Sequence, residues 1–255
     1  MTKTLDDFKY EEFADKCVEE LQGLQDELKK NFGIDWYENW FYNDTTGLFT
    51  LSTDKKEINF KYVNIGTFSR NTNTWKWSWD KEHTEEDTKE TLEKVRNYGK
   101  QNAFEKLTTG YFPSDEREAW EFVAISARLL EGIGAYRAVS EHLLIFMLLT
   151  EHVPNDVAEK IKDKFVDCDE HGDMRRAFVC QHLDKKSKTG FVESFESHPD
   201  MQLELDDDFQ AWCDRCEQER IETNGWTDES MEFADIKLIC EKCYFDIKEF
   251  NLGHQ

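Results

Sequence analysis

Six of the seven cysteines of this 255-residue chain lie in its last third, in pairs with the spacing of metal ligands. The clearest pairs are Cys213-Asp-Arg-Cys216 and Cys240-Glu-Lys-Cys243. Two thiolates with that spacing can bind one ion through a tight turn, and two such pairs complete a tetrahedral zinc site. A redox dithiol and two disulfides are the alternatives, but no thioredoxin-like βαβ pattern surrounds these cysteines. The pattern therefore predicts a zinc site.

A second set of candidate ligands lies upstream, in Cys168-Asp-Glu-His171 and Cys180-Gln-His182. Residues 177–183 have the composition of a short strand, on which residues two apart point to the same face. We expect Cys180 and His182 to meet the same ion for that reason. Eight ligands then predict two zinc ions, paired either in sequence or cross-braced. In the alternative interpretation, Cys168 and His171 are ordinary surface residues and Cys180 is a small buried hydrophobe.

The predicted zinc ions have a structural role. The C-terminal part is short and highly charged, so metal binding would supply much of its folding free energy. Catalytic zinc keeps one coordination position open. The Pro-Cys-x-x-Cys signature of zinc deaminases is absent because Trp212 and Ile239 precede the two pairs, and the His-Glu-x-x-His signature of metalloproteases is also absent. Catalysis at the zinc is therefore disfavoured.

The chain is strongly acidic, with 55 Asp and Glu against 32 Lys and Arg and a formal net charge of −23. A field of this sign repels nucleic-acid backbones and anionic membranes, and it suits either a basic protein partner or simply solubility. The longest apolar run, Leu143 to Leu149, is too short to span a bilayer. No signal-peptide pattern precedes it at the N-terminus. These features predict a cytoplasmic protein with reduced thiols.

The clustering of cysteines and the dipeptide Pro154-Asn155 predict two domains, residues 1–153 and 154–255. The fold class expected is α+β, with an antiparallel sheet packed against helices and followed by a small zinc-binding domain. In the first domain, hydrophobic periodicity and turn residues predict helices at 6–31, from about 84 and from about 114, and strands at 35–42, 47–53, 57–69, 74–80, 135–140 and 142–151.

Trp75, Trp77 and Trp79 alternate with polar residues, which places all three indoles on one face of the predicted strand. Such a row can form a platform for bases or sugars. More often it is the inner face of a sheet covered by helices, and we adopt that interpretation because the two following helices need a partner for their apolar faces.

Two stretches resemble known families. Ile65-Gly-Thr-Phe-Ser69, Thr74-Trp-Lys-Trp-Ser-Trp79 and Val95-Arg-Asn-Tyr-Gly99 are similar to segments of an uncharacterised bacterial domain-of-unknown-function family with a Thr-Trp-x-Trp-x-Trp strand. The resemblance covers about residues 35–150 and implies a fold but no activity. The eight Cys/His positions resemble a bacterial zinc-binding module seen near polymorphic-toxin immunity proteins, which implies metal binding and an association with immunity.

The function predicted from these features is non-enzymatic: an acidic, zinc-stabilised protein that binds a basic partner, in the manner of an immunity protein neutralising a toxin. One alternative is a zinc module that recognises peptides or nucleic acid. For nucleic acid it would need the basic cluster Arg175, Arg176, Lys185, Lys186 and Lys188. Another is an enzyme whose cleft the sequence does not reveal.

Overall fold

The computed structural model describes residues 5–196 and 207–253 of the chain. The chain divides into two compact units, Met1–Ala158 and Glu159–Gln255. Within the described residues, no helix is both long enough and apolar enough to cross a membrane.

The first unit consists of one curled antiparallel sheet with helices packed on it. Its helices are α1 (Leu5–Phe32), α2 (Glu86–Asn102) and α3 (Glu116–Leu129). Its strands are β1 (Asn39–Asn43), β2 (Leu48–Ser52), β3 (Glu57–Ser69), β4 (Thr74–Trp77), β5 (Tyr111–Pro113), β6 (Gly134–Ser140) and β7 (Leu143–Val153). Helix α4 (Asn155–Lys162) follows and crosses the division between the units. The predicted α+β class is confirmed.

The long strand β3 is the centre of this sheet. It pairs with β7 over nearly its whole length, with β2 in its first half and with β4 in its second half. The pairing with β7 shifts register twice, between Lys61 and Tyr62 and between Asn64 and Gly66. Such bulges bend a strand and increase its twist, which accounts for the curl of the sheet.

Strand β7 is buried on both of its faces. Leu144, Phe146 and Leu148 pack in a cluster with residues of α1, α2 and α3, whereas Met147 and Leu149 pack in a second cluster with residues of β2 and β3. Because successive side chains of a strand point to opposite faces, a strand covered on both sides is apolar at every position. This explains the long apolar run seen in the sequence.

The tryptophan row is internal, as predicted, but only two of its members lie on the strand. Trp75 and Trp77 are fully buried, and both pack against Phe122 of α3. Strand β4 ends at Trp77, and the next three residues form a 3-10 turn. Trp79 in this turn stacks on Trp77 with ring centroids 4.3 Å apart. The predicted strand was therefore too long, because the chain turns to stack the third indole on the second.

Gly66 allows β4 to approach β3 closely. A Cβ at this position would lie 2.3 Å from Cζ2 of Trp75 and 2.7 Å from the carbonyl oxygen of Lys76. Any side chain here would push the indole or the strand away. The Gly-Thr-Phe-Ser segment and the tryptophan strand thus form one packing unit.

Two further differences from the sequence-based prediction are the start of the first strand and the presence of β5. Gly33 adopts a left-handed conformation (φ 60°) and begins a 3-10 turn over Ile34–Trp36, so the first strand begins only at Asn39. Strand β5 was not predicted, because it has three residues, ends in Pro113 and directly follows a glycine, a pattern typical of a turn.

The second unit has a mixed sheet with helices that follow its strands. Its strands are β8 (Phe165–Cys168), β9 (Gly172–Val179), β10 (Val192–Glu193), β11 (Phe209–Trp212) and β12 (Lys237–Cys240). Its helices are α5 (Asp214–Glu222), α6 (Asp228–Ala234) and α7 (Glu241–Leu252). Strand β9 pairs antiparallel with β8 and β12 and parallel with β11. Strand β9 therefore has both parallel and antiparallel neighbours.

Candidate metal centres

The eight predicted ligands lie in two groups of four. Site 1 consists of Cys168, His171, Cys240 and Cys243, and site 2 consists of Cys180, His182, Cys213 and Cys216. Within each group the candidate ligand atoms all lie within 4.8 Å of one another. Each group could therefore hold one metal ion.

The two sites are nested along the chain: the first and last ligand pairs form site 1, and the two middle pairs form site 2. This differs from both pairings expected from the sequence, sequential and cross-braced. The cause is the direction of the strands. Cys180 and Cys213 directly follow β9 and β11, which are parallel, so their carboxyl ends meet. Cys168 and Cys240 end β8 and β12, which both run opposite to β9.

Each Cys-x-x-Cys pair lies where a strand is followed by a helix. Cys213 is the N-cap of α5 and Cys240 is the N-cap of α7. The sulfur of each capping cysteine accepts the backbone N–H of the second cysteine, with distances of 3.5 Å from Cys216 and 3.3 Å from Cys243. Amide donors and the positive end of a helix stabilise a thiolate. At Cys213, these donors are among the causes that lower the pKa of the thiol.

The pairs that contain histidine lie in turns. The N–H of His171 donates to the carbonyl oxygen of Cys168, and the N–H of Leu183 donates to that of Cys180. Strand β9 ends at Val179, so Cys180 and His182 are not on a strand, and the expectation that they share a strand face was wrong. They converge because the chain turns back immediately after β9.

The distances in site 1 fit a tetrahedral zinc ion. Cys168 Sγ lies 3.9 Å from Cys243 Sγ, and Nδ1 of His171 lies 3.4–3.6 Å from the sulfurs of Cys168, Cys240 and Cys243. For Zn–S bonds of about 2.3 Å and Zn–N bonds of about 2.0 Å, a tetrahedron places two sulfurs about 3.8 Å apart and sulfur and nitrogen about 3.5 Å apart. These four distances thus match the corresponding edges of such a tetrahedron.

Site 2 is more deeply buried than site 1. Its three cysteines are fully or almost fully buried, whereas Cys168 and Cys243 of site 1 are partly exposed. Nδ1 of His182 lies 3.3 Å from Cys216 Sγ, and the imidazole packs against the ring of Phe233 with centroids 5.0 Å apart. The backbone N–H of Cys213 donates to Cys180 Sγ at 3.3 Å. Site 2 is therefore part of the hydrophobic core of this unit.

Contacts between the thiols, burial and backbone amides shift the pKa values of these cysteines in opposite directions. In site 2, the hydrogen bond from the Cys180 thiol lowers the pKa of Cys213 to about 5, and the same contact raises the pKa of Cys180. Burial raises the pKa of Cys216 to about 12. In site 1, the backbone amides of Glu170 and His171 lower the pKa of Cys168 to about 7, and burial raises the pKa of Cys243 to about 12. A divalent ion would convert all of these groups to thiolates.

Residues that the sequence analysis did not select hold the site 2 loops in place. The ammonium of Lys237 donates to the carbonyl oxygens of Gln181 and Leu183, at 3.1 and 3.0 Å. The side-chain oxygen of Asn251 in α7 accepts the backbone N–H of Thr189 at 2.9 Å. Neither residue belongs to a recognisable motif, so no sequence signal could have identified it.

Gly190 brings the same loop against α5. Its φ is +80°, and a Cβ there would lie 2.0 Å from the carboxylate of Asp214, the first residue of α5. The backbone N–H of Asp214 donates to the carbonyl oxygen of Thr189 at 3.0 Å. Only glycine fits this combination of conformation and contact, and the signal in the sequence was a single glycine in a polar segment.

The seventh cysteine, Cys17, belongs to neither site. It is fully buried on α1, in the first unit, where Arg128 donates to its sulfur at 3.9 Å. All seven cysteines are free thiols. Cys17 is therefore a core residue of the first unit.

A protein-family model matches residues 11–152 of the chain, which is more than half of its length. The family is described as one of unknown function (DUF6882). The match covers most of the first unit and ends before the first ligand of either site. No curated protein and no solved structure gives a significant match.

Proposed function

The chain belongs to this family of unknown function, and on that premise we propose that it is a non-enzymatic binding protein whose second unit is stabilised by two structural zinc ions. The observation that carries the proposal is the composition of the two sites. Each has three cysteines and one histidine within mutual ligand distance. Four protein ligands leave no coordination position for a substrate or a reactive water, which is typical of structural zinc.

Zinc is the ion that these donors favour. Thiolate and imidazole ligands in a tetrahedral arrangement suit zinc, whereas calcium and magnesium require oxygen ligands. Two such ions would supply a large share of the folding free energy, on the order of 10 kcal/mol each in small zinc domains at neutral pH. Thiolate ligands persist best in a reducing compartment, which supports our proposal of a cytoplasmic location.

The proposed ligand is a basic protein, and the charge of the chain supports this. The net charge of −23 would accelerate the encounter with a positive surface. The long helix α1 contributes to this field, since Glu12, Asp15 and Glu19 are all exposed along it. We propose an inhibitor of the immunity type, which neutralises a basic toxin by covering its surface.

Two of the five cations in the basic cluster that the nucleic-acid alternative requires are held in ion pairs. Arg176 forms a bidentate ion pair with Asp208, and Lys185 pairs with Asp246 at 2.7 Å. Arg175 donates to the backbone of Asp207. Paired cations attract phosphates weakly, so these contacts favour the protein-binding proposal over nucleic-acid recognition.

Two measurements test the proposal. Native mass spectrometry of protein purified under reducing conditions should find two zinc ions per chain, and a metal-free folded protein would contradict it. Co-purification with the products of neighbouring genes should identify a basic partner whose association rate falls steeply with salt. A partner bound with salt-independent kinetics would contradict the electrostatic part of the proposal and leave the metal sites unaffected.

A further inference from the structure

A pocket of about 460 Å³ lies where α1 ends, within the first unit. Phe32, Trp36 and Tyr37 line it on one side, and the turn between β2 and β3 lines it on the other. Trp36 is 83% exposed, the highest value among the large hydrophobic residues that the structure describes. Because the ring of Trp36 borders the pocket and is exposed to solvent, it presents a flat apolar face to a ligand.

Hydrogen bonds hold both walls of the pocket. On one side, the indole of Trp36 lies against Gly33, where an added Cβ would be 3.1 Å from Cδ1 of the indole, and the backbone N–H of Trp36 donates to the Gly33 carbonyl. On the other side, the hydroxyl oxygen of Thr53 accepts the backbone N–H groups of Lys55 and Lys56 at 3.2 and 3.1 Å. Walls ordered before binding reduce the entropy cost of holding a ligand.

The charged residues that line the pocket cancel one another. Glu38 and Asp54 contribute two carboxylates, and Lys55 and Lys56 contribute two ammonium groups. All four are exposed, and none forms an ion pair with another residue in the described part of the chain. An ion of either sign would meet a like charge here. Hydroxyls of a neutral ligand can donate to the carboxylates and accept from the ammonium groups without meeting a like charge.

From this combination we infer that the pocket binds a neutral carbohydrate. The apolar C–H face of a sugar ring packs on Trp36, while its hydroxyls donate to Glu38 and Asp54 and accept from Lys55 and Lys56. Neither the metal sites nor the proposed basic partner enters this inference, so it stands or fails independently of them.

The test uses the full-length protein on an array of neutral glycans, followed by titration of the glycans that bind, with cellotriose, maltotriose and N,N′,N″-triacetylchitotriose as soluble probes. At least one neutral glycan should bind, and Trp36→Ala should weaken it about tenfold or more. Tyr111→Ala is the matched control, because it removes another exposed aromatic ring (54% exposed) outside the pocket and should leave binding unchanged.

The charge variants separate a neutral ligand from an ionic one. Glu38→Gln and Lys56→Met should each weaken glycan binding, because each removes a charge-assisted hydrogen bond, and added salt should have little effect. The inference is overturned if no neutral glycan binds in a Trp36-dependent way. Opposite effects of the two charge variants, together with steep salt dependence, would overturn it in favour of an ionic ligand.

Discussion

Nδ1 of His171 lies 3.4 Å from Sγ of Cys240, although 69 residues separate the two in the chain. All four ligands of site 2 lie within that interval. Closing a loop costs more conformational entropy when the loop is longer. A filled site 2 shortens the loop that site 1 must close, so we expect the inner site to assist the outer one.

Metal removal should unfold only one of the two units. Because both sites lie in the second unit and the first has its own buried clusters, a strong chelator should abolish one thermal transition and leave the other in place. Differential scanning calorimetry of the full chain measures this. Loss of both transitions on chelation would show that the units do not fold independently.

Ligand substitutions should have unequal effects at the two sites. Cys243→Ser should remove the site 1 ion and leave site 2 filled, whereas Cys216→Ser should empty site 2 and also weaken site 1, which depends on the inner loop. Native mass spectrometry counts the ions in each variant. Cys17→Ala is the matched control and should keep two ions, since Cys17 belongs to a buried cluster of the first unit and to neither ligand group. Equal ion counts in the two ligand variants would contradict the nested dependence.

Zinc binding should release protons, and zinc affinity should fall on acidification. At pH 7 the pKa of about 5 leaves Cys213 ionised, whereas Cys216, with a pKa of about 12, and Cys180, with a raised pKa, are protonated. Zinc entering site 2 must therefore displace protons from at least these two thiols, and from Cys213 as well when the second unit is unfolded without metal, and lowering the pH strengthens the competition from protons. Calorimetric titration of the Cys243→Ser variant in buffers of different ionisation enthalpy counts them. A pH-independent affinity would be inconsistent with thiolate ligation.

Gly66→Ala should destabilise the first unit by about 2 kcal/mol, because the new methyl group would overlap the Trp75 indole and the backbone of β4. Gly23→Ala is the control: Gly23 is in α1 with open space around its Cα, and alanine there should stabilise the helix by about 0.5–1 kcal/mol. Urea denaturation gives both values. Equal effects would mean that the contact between β3 and β4 is looser than the distances indicate.

Glu193→Gln should destabilise the second unit by about 2 kcal/mol. Glu193 is 5% exposed, and its carboxylate accepts from the hydroxyl of Tyr244 at 2.7 Å and pairs with Lys248 at 2.6 Å. Neutralising this carboxylate would leave the partly buried ammonium of Lys248 without its partner. Glu151→Gln is the control, because its pair with Lys61 is well exposed and should contribute about 0.5 kcal/mol or less. The two thermal transitions of the zinc-loaded protein measure the difference.

The first unit was predictable from local pattern. Helix α1, strands β2 and β3 and the burial of Trp75 and Trp77 follow from hydrophobic periodicity and turn residues, which act over short distances. The errors arose where a single residue redirects the chain. The left-handed Gly33 delays the first strand, and the stacking of Trp79 ends β4 early.

In the second unit, the sequence identified the candidate ligands that the fold brings together, but not their pairing. The spacing of Cys213 and Cys216 reflects a local turn, which sequence reveals. The partner of each pair depends on the parallel alignment of β11 with β9, a contact between distant segments that leaves no local pattern. The same is true of Lys237 and Asn251, which act through backbone groups of residues more than 50 positions away.

The nesting of the sites has a consequence for a damaged chain. A protease cut anywhere between Leu183 and Trp212 would separate the first two ligand pairs from the last two, yet each ion would be held from both sides of the break. The two fragments would then migrate together under native conditions and come apart only when the metal was stripped. Bound metal would therefore keep a cleaved chain assembled, and this effect would be reversible.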